Sequence, residues 1–198
     1  KQVNTFSVGF ESEKYDESNW SSIVAQKYET NHLLKKLKSD IDIDLVNESI
    51  QIFDEPYSDP STLPSFILSK EISKNYKVAI SGDGGDELLG GYDRIYKTLK
   101  RKKFKNISSV LFNLYNPKLG TGTKIKINNE DLATSYSSFF EDEKLLNLLK
   151  INQVSKFNNQ FNYFDCSEYK NLLIFEFKFF LSEMMHLKID RTSMANSL

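Results

Sequence analysis

One twelve-residue stretch constrains the fold more than any other part of the chain: Ser81-Gly82-Asp83-Gly84-Gly85-Asp86-Glu87-Leu88-Leu89-Gly90-Gly91-Tyr92. The three glycines within residues 81–85 permit a tight turn and a close approach of backbone to a bound group. The apolar, β-prone run at 76–80 ends at this point, and its composition predicts a strand buried on both faces of a parallel sheet. Ligands of open parallel sheets bind beyond the carboxyl ends of the strands, so the turn falls where a binding site is expected.

The residues ahead of it alternate between strand and helix signals. A β-prone run at 5–10 is followed by a turn at 11–15 and by Trp20, Ile23, Val24 and Tyr28 at helical spacing, with Asp16 as the expected N-cap. Residues 32–37 read as a second strand. Ile41, Leu45, Ile50 and Phe53 then mark a second helix behind Ser39 or Asp40. Residues 54–60 carry too much proline and acid to continue it, and a third helix is expected over 63–72, with Pro64 tolerable in its first turn. This order argues for an α/β fold with right-handed crossovers. After Tyr92 the strand signals stop: residues 131–164 and 167–187 read as Leu- and Phe-rich helices, with a loop at 116–122 and a short alternating run at 124–127. The expected organisation is one domain over 1–198, made of an α/β portion at 1–92 and a mainly helical portion at 93–198.

Composition narrows the function classes. With 198 residues and 39% apolar side chains, one core is the default. Lys and Arg total 26 against 27 Asp and Glu, so the net charge of -1 supplies no global attraction to nucleic acid or anionic membrane. The most apolar stretch, 172–187, is broken by Glu176, Lys178 and Glu183 and is not expected to span a membrane. The single cysteine, Cys166, excludes an internal disulfide and fits a reducing compartment, for which the cytoplasm is the expectation. The chain opens on Lys1 without a basic-then-apolar leader, and residues upstream are expected to be missing.

Asp83, Asp86 and Glu87 bring up to three negative charges to the glycine-rich turn. Glycine amides alone would suit a phosphate, but two like charges about 4 Å apart near a protein surface repel by about 4 kcal/mol. A polyphosphate here therefore calls for a bridging divalent cation. Mg2+, which takes one or two carboxylates together with phosphate oxygens, fits such a donor set. A solvated turn of the same composition is the alternative left open by spacing alone. A calcium-binding loop would need oxygen ligands alternating over twelve residues and ending in glutamate, whereas this stretch ends in Leu-Leu-Gly-Gly.

The same residues, S-G-D-G-G-D-E-L-L-G-G-Y at 81–92, closely resemble the S-G-(D/E)-G-(G/S)-D-E-x-(F/L)-G-G-Y signature of the asparagine synthetase family. Other segments fall in that family's order: T-F-S-V-G-F at 5–10, Y-D-E at 15–17, D-E-P-Y-S-D-P-S at 54–61 and K-I-D-R-T-S-M-A-N-S-L at 188–198. The resemblance covers nearly the whole chain and is thinnest between 97 and 164. It implies a parallel sheet of the adenine-nucleotide alpha-hydrolase, or ATP pyrophosphatase, type, with a helical C-terminal half. It also implies ATP and Mg2+ as cofactors, with Val8 lining the adenine pocket, Ser81 and Gly82 near the α-phosphate, and Asp86 holding the metal. Asp83 then matches an acid near the reacting carboxyl and ammonia, and Asp190 a second acid reaching the same cleft.

The reaction implied by the resemblance is activation of the aspartate side-chain carboxylate as an acyl-adenylate, followed by amination with ammonia from glutamine to give asparagine, AMP and pyrophosphate. Its partners are small molecules, with a glutaminase domain expected in cis and a homodimer left open. The family's S-G-G-x-D-S pyrophosphate loop and its E-x-R-x-P-F-type segment are not in the chain, so truncation at both ends, and inactivity of the 198-residue piece alone, are expected.

Several competing readings bear on these residues. Enzymes forming β-lactams resemble a pattern with tyrosine where this chain has Asp83, so the acid favours ammonia chemistry. An amidotransferase acting on a peptide or a sugar acid stays open, as does a synthetase fold kept only as a scaffold, against which the intact Asp83, Asp86 and Asp190 count. The basic run at 97–105 has six basic residues in nine but only Phe104 as an interleaved aromatic, and it reads as a solvated helix face rather than a nucleic-acid site. His32 and His186 lack metal-ligand spacing to each other or to Cys166. Phe175, Phe177, Phe179 and Phe180 read as core.

Overall fold

The structure, a computed structural model, describes residues 2–38, 42–55, 57, 59–103, 136 and 164–198. The chain forms two compact units, Lys1–Ser81 with His186–Leu198, and Gly82–Met185.

The first unit is built on a parallel pair, β1 (Asn4–Phe10) and β2 (Asn31–Leu37), in register from Asn4 opposite Asn31 to Phe10 opposite Leu37. The crossover between them carries helix α1 (Ser18–Lys27). Alternation along the strands assigns the two faces. Thr5, Ser7 and His32 share the face met by α1, where His32 bridges the Thr5 hydroxyl at 2.9 Å and the Ser7 hydroxyl at 3.0 Å, and Ser7 meets Ser21 of α1 at 3.0 Å. Gly9 lies on the same face; a Cβ there would stand 3.1 Å from Asp16 Oδ1 and 3.2 Å from Ser18 Cβ. Phe6 points to the opposite face, where its ring meets Tyr76 edge-on at 5.5 Å. Lys35, across from Val8, reaches Glu71 of α3 (Thr62–Ile72) at 3.7 Å. Helices thus cover both faces, as a parallel pair requires.

Two more helices complete this unit. Asp42 caps α2 (Ile43–Gln51) by accepting the Asp44 amide at 2.9 Å, so the cap falls later than the expected Ser39 or Asp40, which lie outside the described residues. The last described helix, His186–Met194, packs on α3, burying Lys188 and Thr192, which are spaced four apart on one face. Lys188 Nζ donates to Ser61 Oγ at 2.8 Å, and Asn196 Nδ2 to the Phe66 carbonyl at 3.5 Å.

Three expectations need correction here. Residues 76–80 do not form a strand: no described strand pairs with them, and Val78 and Ile80 are 81% and 99% exposed. A strand gains its stability from a neighbouring ladder, and among the described residues this run has none. The bulky stripe Trp20, Ile23, Val24 and Tyr28 faces out, and the buried residue of α1 is Ala25. The sheet face beneath α1 carries Thr5, Ser7, Gly9 and His32 beside Leu34, and the small Ser18 and Ser21 of α1 meet it. Finally, Glu17 rather than Asp16 occupies the cap position. Asp16 nonetheless accepts from Ser18 N at 3.1 Å, Ser18 Oγ at 2.9 Å and Phe10 N at 3.2 Å, tying the end of β1 to the start of α1.

The second unit is helical among the described residues: α4 (Gly85–Leu89), α5 (Asp93–Lys103), α6 (Glu168–Phe175) and a π-helical segment (Glu176–Met185). We number the helix at His186–Met194 α7. Ile95, Tyr136, Leu172 and Phe175 form the core, with Tyr92, Leu99 and Phe179 packed around it. The helix expected at 167–187 is present, capped by Ser167, but from Glu176 it widens. Its buried residues Glu176, Leu181 and Met185 are spaced five and four apart, which suits an i→i+5 turn better than a 3.6-residue one. Cys166 lies in a bend just before this helix, as a free thiol. Apart from Tyr136 and Phe164, the expected helix at 131–164 lies outside the described residues, as do the loop at 116–122 and the run at 124–127. No described helix is long and apolar enough to cross a membrane.

Hydrogen bonds from Ser18 hold the Asp16 carboxyl below its ordinary pKa. Its contribution to stability is therefore present above the unfolded pKa and is lost as pH falls through the folded one. Asp16→Ala is expected to lower the melting temperature at neutral pH, with the wild-type and variant curves converging on acidification. A gap independent of pH counts against the assignment.

Candidate functional site

The acidic turn is shaped by its glycines. The Gly85 amide donates to the Gly82 carbonyl at 3.2 Å, which places Asp83 and Gly84 at the head of a tight turn. Gly84 has φ +95°, in the left-handed region that a side chain disfavours, and the space beside its Cα is filled by Leu181 of the π segment. Helix α4 then runs for only five residues before Gly90, at φ +75°, ends it. The amides of Gly90 and Gly91 both donate to the Asp86 carbonyl at 2.9 Å, a Schellman-type termination. A Cβ on Gly90 would collide with the Tyr169 hydroxyl, and one on Gly91 with the Asp86 carboxylate. The Asp86 side chain therefore lies directly over the Gly91 backbone.

The three acids of the turn divide. Asp83 and Asp86 are exposed, whereas Glu87 is buried at 2% exposure and accepts a 2.6 Å hydrogen bond from Tyr92 Oη. Of the up to three charges expected at the turn, two are exposed, because α4 turns Glu87 inward. Tyr92 connects to a buried ionic group. The Arg94 guanidinium lies 3.9 Å from the Tyr92 ring centre and 4.2 Å from that of Phe180. Arg94 donates Nε and Nη2 to the two oxygens of Glu176 at 2.7 and 2.6 Å, and Nε also reaches Tyr136 Oη at 3.0 Å. Tyr136 in turn donates to Glu176. Burial, and then the carboxylates, push the Tyr92 and Tyr136 hydroxyls up, so both stay protonated donors. Burial works against the Arg94 charge, but Glu176 more than offsets it.

The remaining residues singled out from sequence lie in the first unit. Val8 is half-buried in β1 opposite Lys35, on the sheet face that carries Phe6. Ser81 closes the exposed run after α3. Asp190 is exposed on α7, and its carbonyl accepts from Ser193 Oγ at 3.2 Å. Its neighbour Arg191 pairs with Asp54. Gly82, Asp83 and Asp86 share the one turn of the second unit. No group of three or more His, Cys, Asp or Glu suited to a metal occurs among the described residues.

Sequence reasoning missed Lys188. It is 4% exposed, and its ammonium donates to Ser61 Oγ, which donates to Asp59 Oδ1 at 2.7 Å. This contact joins 54–61 and 188–198, two of the motif segments. The signal was present as a pair of motifs, but nothing in their spacing, 127 residues between Ser61 and Lys188, says that they touch.

A sequence model described as asparagine synthase matches residues 1–198. The chain is 33% identical over 109 residues to an asparagine synthetase (glutamine-hydrolyzing) of Bacillus subtilis, covering 55% of this chain and 17% of that protein. It is 40% identical over 91 residues to a putative asparagine synthetase (glutamine-hydrolyzing) of Methanocaldococcus jannaschii, covering 46% and 18%. To the corresponding putative protein of Mycobacterium bovis it is 34% identical over 100 residues, covering 50% and 15%. The matched stretches thus span less than a fifth of each relative. No solved structure matches the chain.

Gly90→Ala is expected to lower the unfolding free energy by about 1–3 kcal/mol, the cost of left-handed backbone at a residue with a side chain. Gly82→Ala, where a Cβ meets nothing within 4 Å, should change it by less than about 0.5 kcal/mol. Equal effects in urea denaturation would contradict this picture of the turn.

Proposed function

The chain belongs to the asparagine synthase family, and from that membership together with the form of the acidic turn we propose that it is part of an ATP-dependent carbon–nitrogen ligase. In this reading the whole protein activates a carboxylate, foremost the aspartate side chain, as its acyl-adenylate and aminates it with ammonia released from glutamine by a glutaminase domain in cis. The nucleotide-binding portion, residues 1–92, would be of the adenine-nucleotide alpha-hydrolase type, with Val8 against the adenine and Ser81 and Gly82 beside the α-phosphate.

The observation that carries the reading is the division of the turn: Asp83 and Asp86 are exposed three residues apart on glycine-shaped backbone, while Glu87 is withdrawn. Such a donor set fits Mg2+, which is held by one or two carboxylates plus phosphate oxygens rather than by an all-protein cage. Asp86 would hold the ion. When bound, Mg2+ neutralises charge building on the departing pyrophosphate.

The chain's own groups have distinct tasks in this scheme. A carboxylate oxygen is a poor leaving group, and transfer of AMP to it makes attack by ammonia feasible. The ammonium so formed must lose a proton, and Asp83, on the exposed head of the turn, is the proposed general base. Asp190, on the exposed face of α7, is the proposed second acid at the acceptor. Asp83 itself argues for ammonia as the nucleophile, since the nitrogen that has bonded to the acyl carbon must shed an N–H proton and a carboxylate beside it can accept that proton.

In the full-length protein supplied with ATP, aspartate and ammonium, Asp86→Asn should reduce pyrophosphate release by more than the ~10–100-fold that loss of an outer metal-shell partner costs. Asp83→Asn should slow amide formation by about 10²–10⁴-fold, the usual contribution of a general base, with smaller effect on nucleotide binding. Wild-type turnover in either variant would remove that residue's assignment. Pyrophosphate release dependent on another carboxylate and not on aspartate would move the reading to a related amidotransferase.

A further inference from the structure

We propose that Tyr92, Arg94 and Glu176 act as positioning residues for the acidic turn, a buried latch that sets where Asp86 presents its carboxylate. This rests on the reading of Asp86 as the metal-holding residue, and extends it to three side chains behind the turn.

The turn is fastened at both ends to one element. At its head, Gly84 lies against Leu181 in the middle of the π segment. At its tail, Glu87 accepts from Tyr92, whose ring lies against the Arg94 guanidinium, and Arg94 grips Glu176, the first residue of the same segment. Asp86 sits between these attachments, immediately before Glu87, with its carbonyl taken by Gly90 and Gly91 and its carboxylate over Gly91. It has little freedom independent of the latch.

Electrostatics supports the same role. Glu87 and Glu176 are both buried carboxylates, and Arg94, with 10% of its side chain exposed, is hydrogen-bonded to Glu176 and stacked on the ring of Tyr92, whose hydroxyl donates to Glu87. Replacing such a group by apolar residues is often neutral or stabilising, so stability alone is a weak reason for its presence. What a bidentate guanidinium–carboxylate pair provides is fixed direction. Here that direction is transmitted by a ring face and one hydroxyl to the residue next to Asp86.

The test uses the full-length protein and the Mg2+ concentration giving half-maximal pyrophosphate release at fixed ATP. Tyr92→Phe keeps the ring and removes only the donor to Glu87. Arg94→Lys keeps the charge and removes the fork. Both should raise the half-activating Mg2+ concentration by about tenfold, the size expected of one hydrogen bond to a charged group. Leu172→Val, in the same core but outside the latch, should lower the melting temperature and leave the Mg2+ requirement unchanged. If the Mg2+ requirement instead follows the melting temperature across all three variants, the latch is merely structural and the inference is overturned. If Asp86→Asn abolishes release while Tyr92→Phe and Arg94→Lys keep the wild-type Mg2+ requirement, only the latch fails. If Asp86→Asn leaves release intact, the underlying reading of the turn fails first.

Discussion

The contact between Arg94 and Glu176 joins residues 82 positions apart and organises the second unit around a charge pair rather than around apolar packing alone. Glu176 has no exposed side-chain surface, so its carboxylate depends entirely on protein donors, and Arg94 and Tyr136 supply them. Removing one partner of such a pair costs about 3–5 kcal/mol, because the other charge is left buried without compensation. Around it the aromatic rings of Tyr92, Phe175, Phe179 and Phe180 complete the packing. Tyr136 and Phe175 meet edge-on at 5.4 Å, and Phe175 and Phe179 lie 4.9 Å apart.

The first unit solves a different problem in a comparable way. A parallel pair normally presents apolar side chains on both faces, yet the face under α1 carries Thr5, Ser7 and His32 in a hydrogen-bonded row. Small hydroxyl-bearing residues of α1 meet it, and the larger side chains of that helix are left outside. On α7 the buried ammonium of Lys188 is accommodated by Ser61 and, through it, by Asp59. Buried polar groups of this kind must be fully partnered, and their partners specify one arrangement of the chain.

The division of the three acids follows from the same constraint. Five residues of helix, closed at each end by a left-handed glycine, are enough to rotate Glu87 away from Asp83 and Asp86 and into contact with Tyr92. A turn bearing three exposed charges would repel any polyphosphate more strongly than one bearing two. Withdrawal of the third acid lets the same short segment serve both as a candidate ligand surface and as the attachment to the core.

Much of this protein was legible in the order of its residues. Both described strands, the helices at Thr62–Ile72 and Glu168–Phe175, the turn after β1 and the glycine-rich stretch all stand close to where periodicity and turn chemistry put them, because those signals are local. The glycine-shaped form of the turn was legible as well, since φ of +95° and +75° lies in the left-handed region that favours glycine. Tertiary structure alone decided the rest. Residues 76–80 carry strand composition but have no strand partner among the described residues, the apolar stripe of α1 faces outward, and the helix at 176 widens. Glu87 joins Tyr92, Arg94 joins Glu176, and Lys188 joins Ser61, and none of these follows from spacing. Local sequence prescribes backbone conformation through sterics and period, whereas the partner of a buried charge is chosen by whichever distant donor the folded chain brings within about 3 Å.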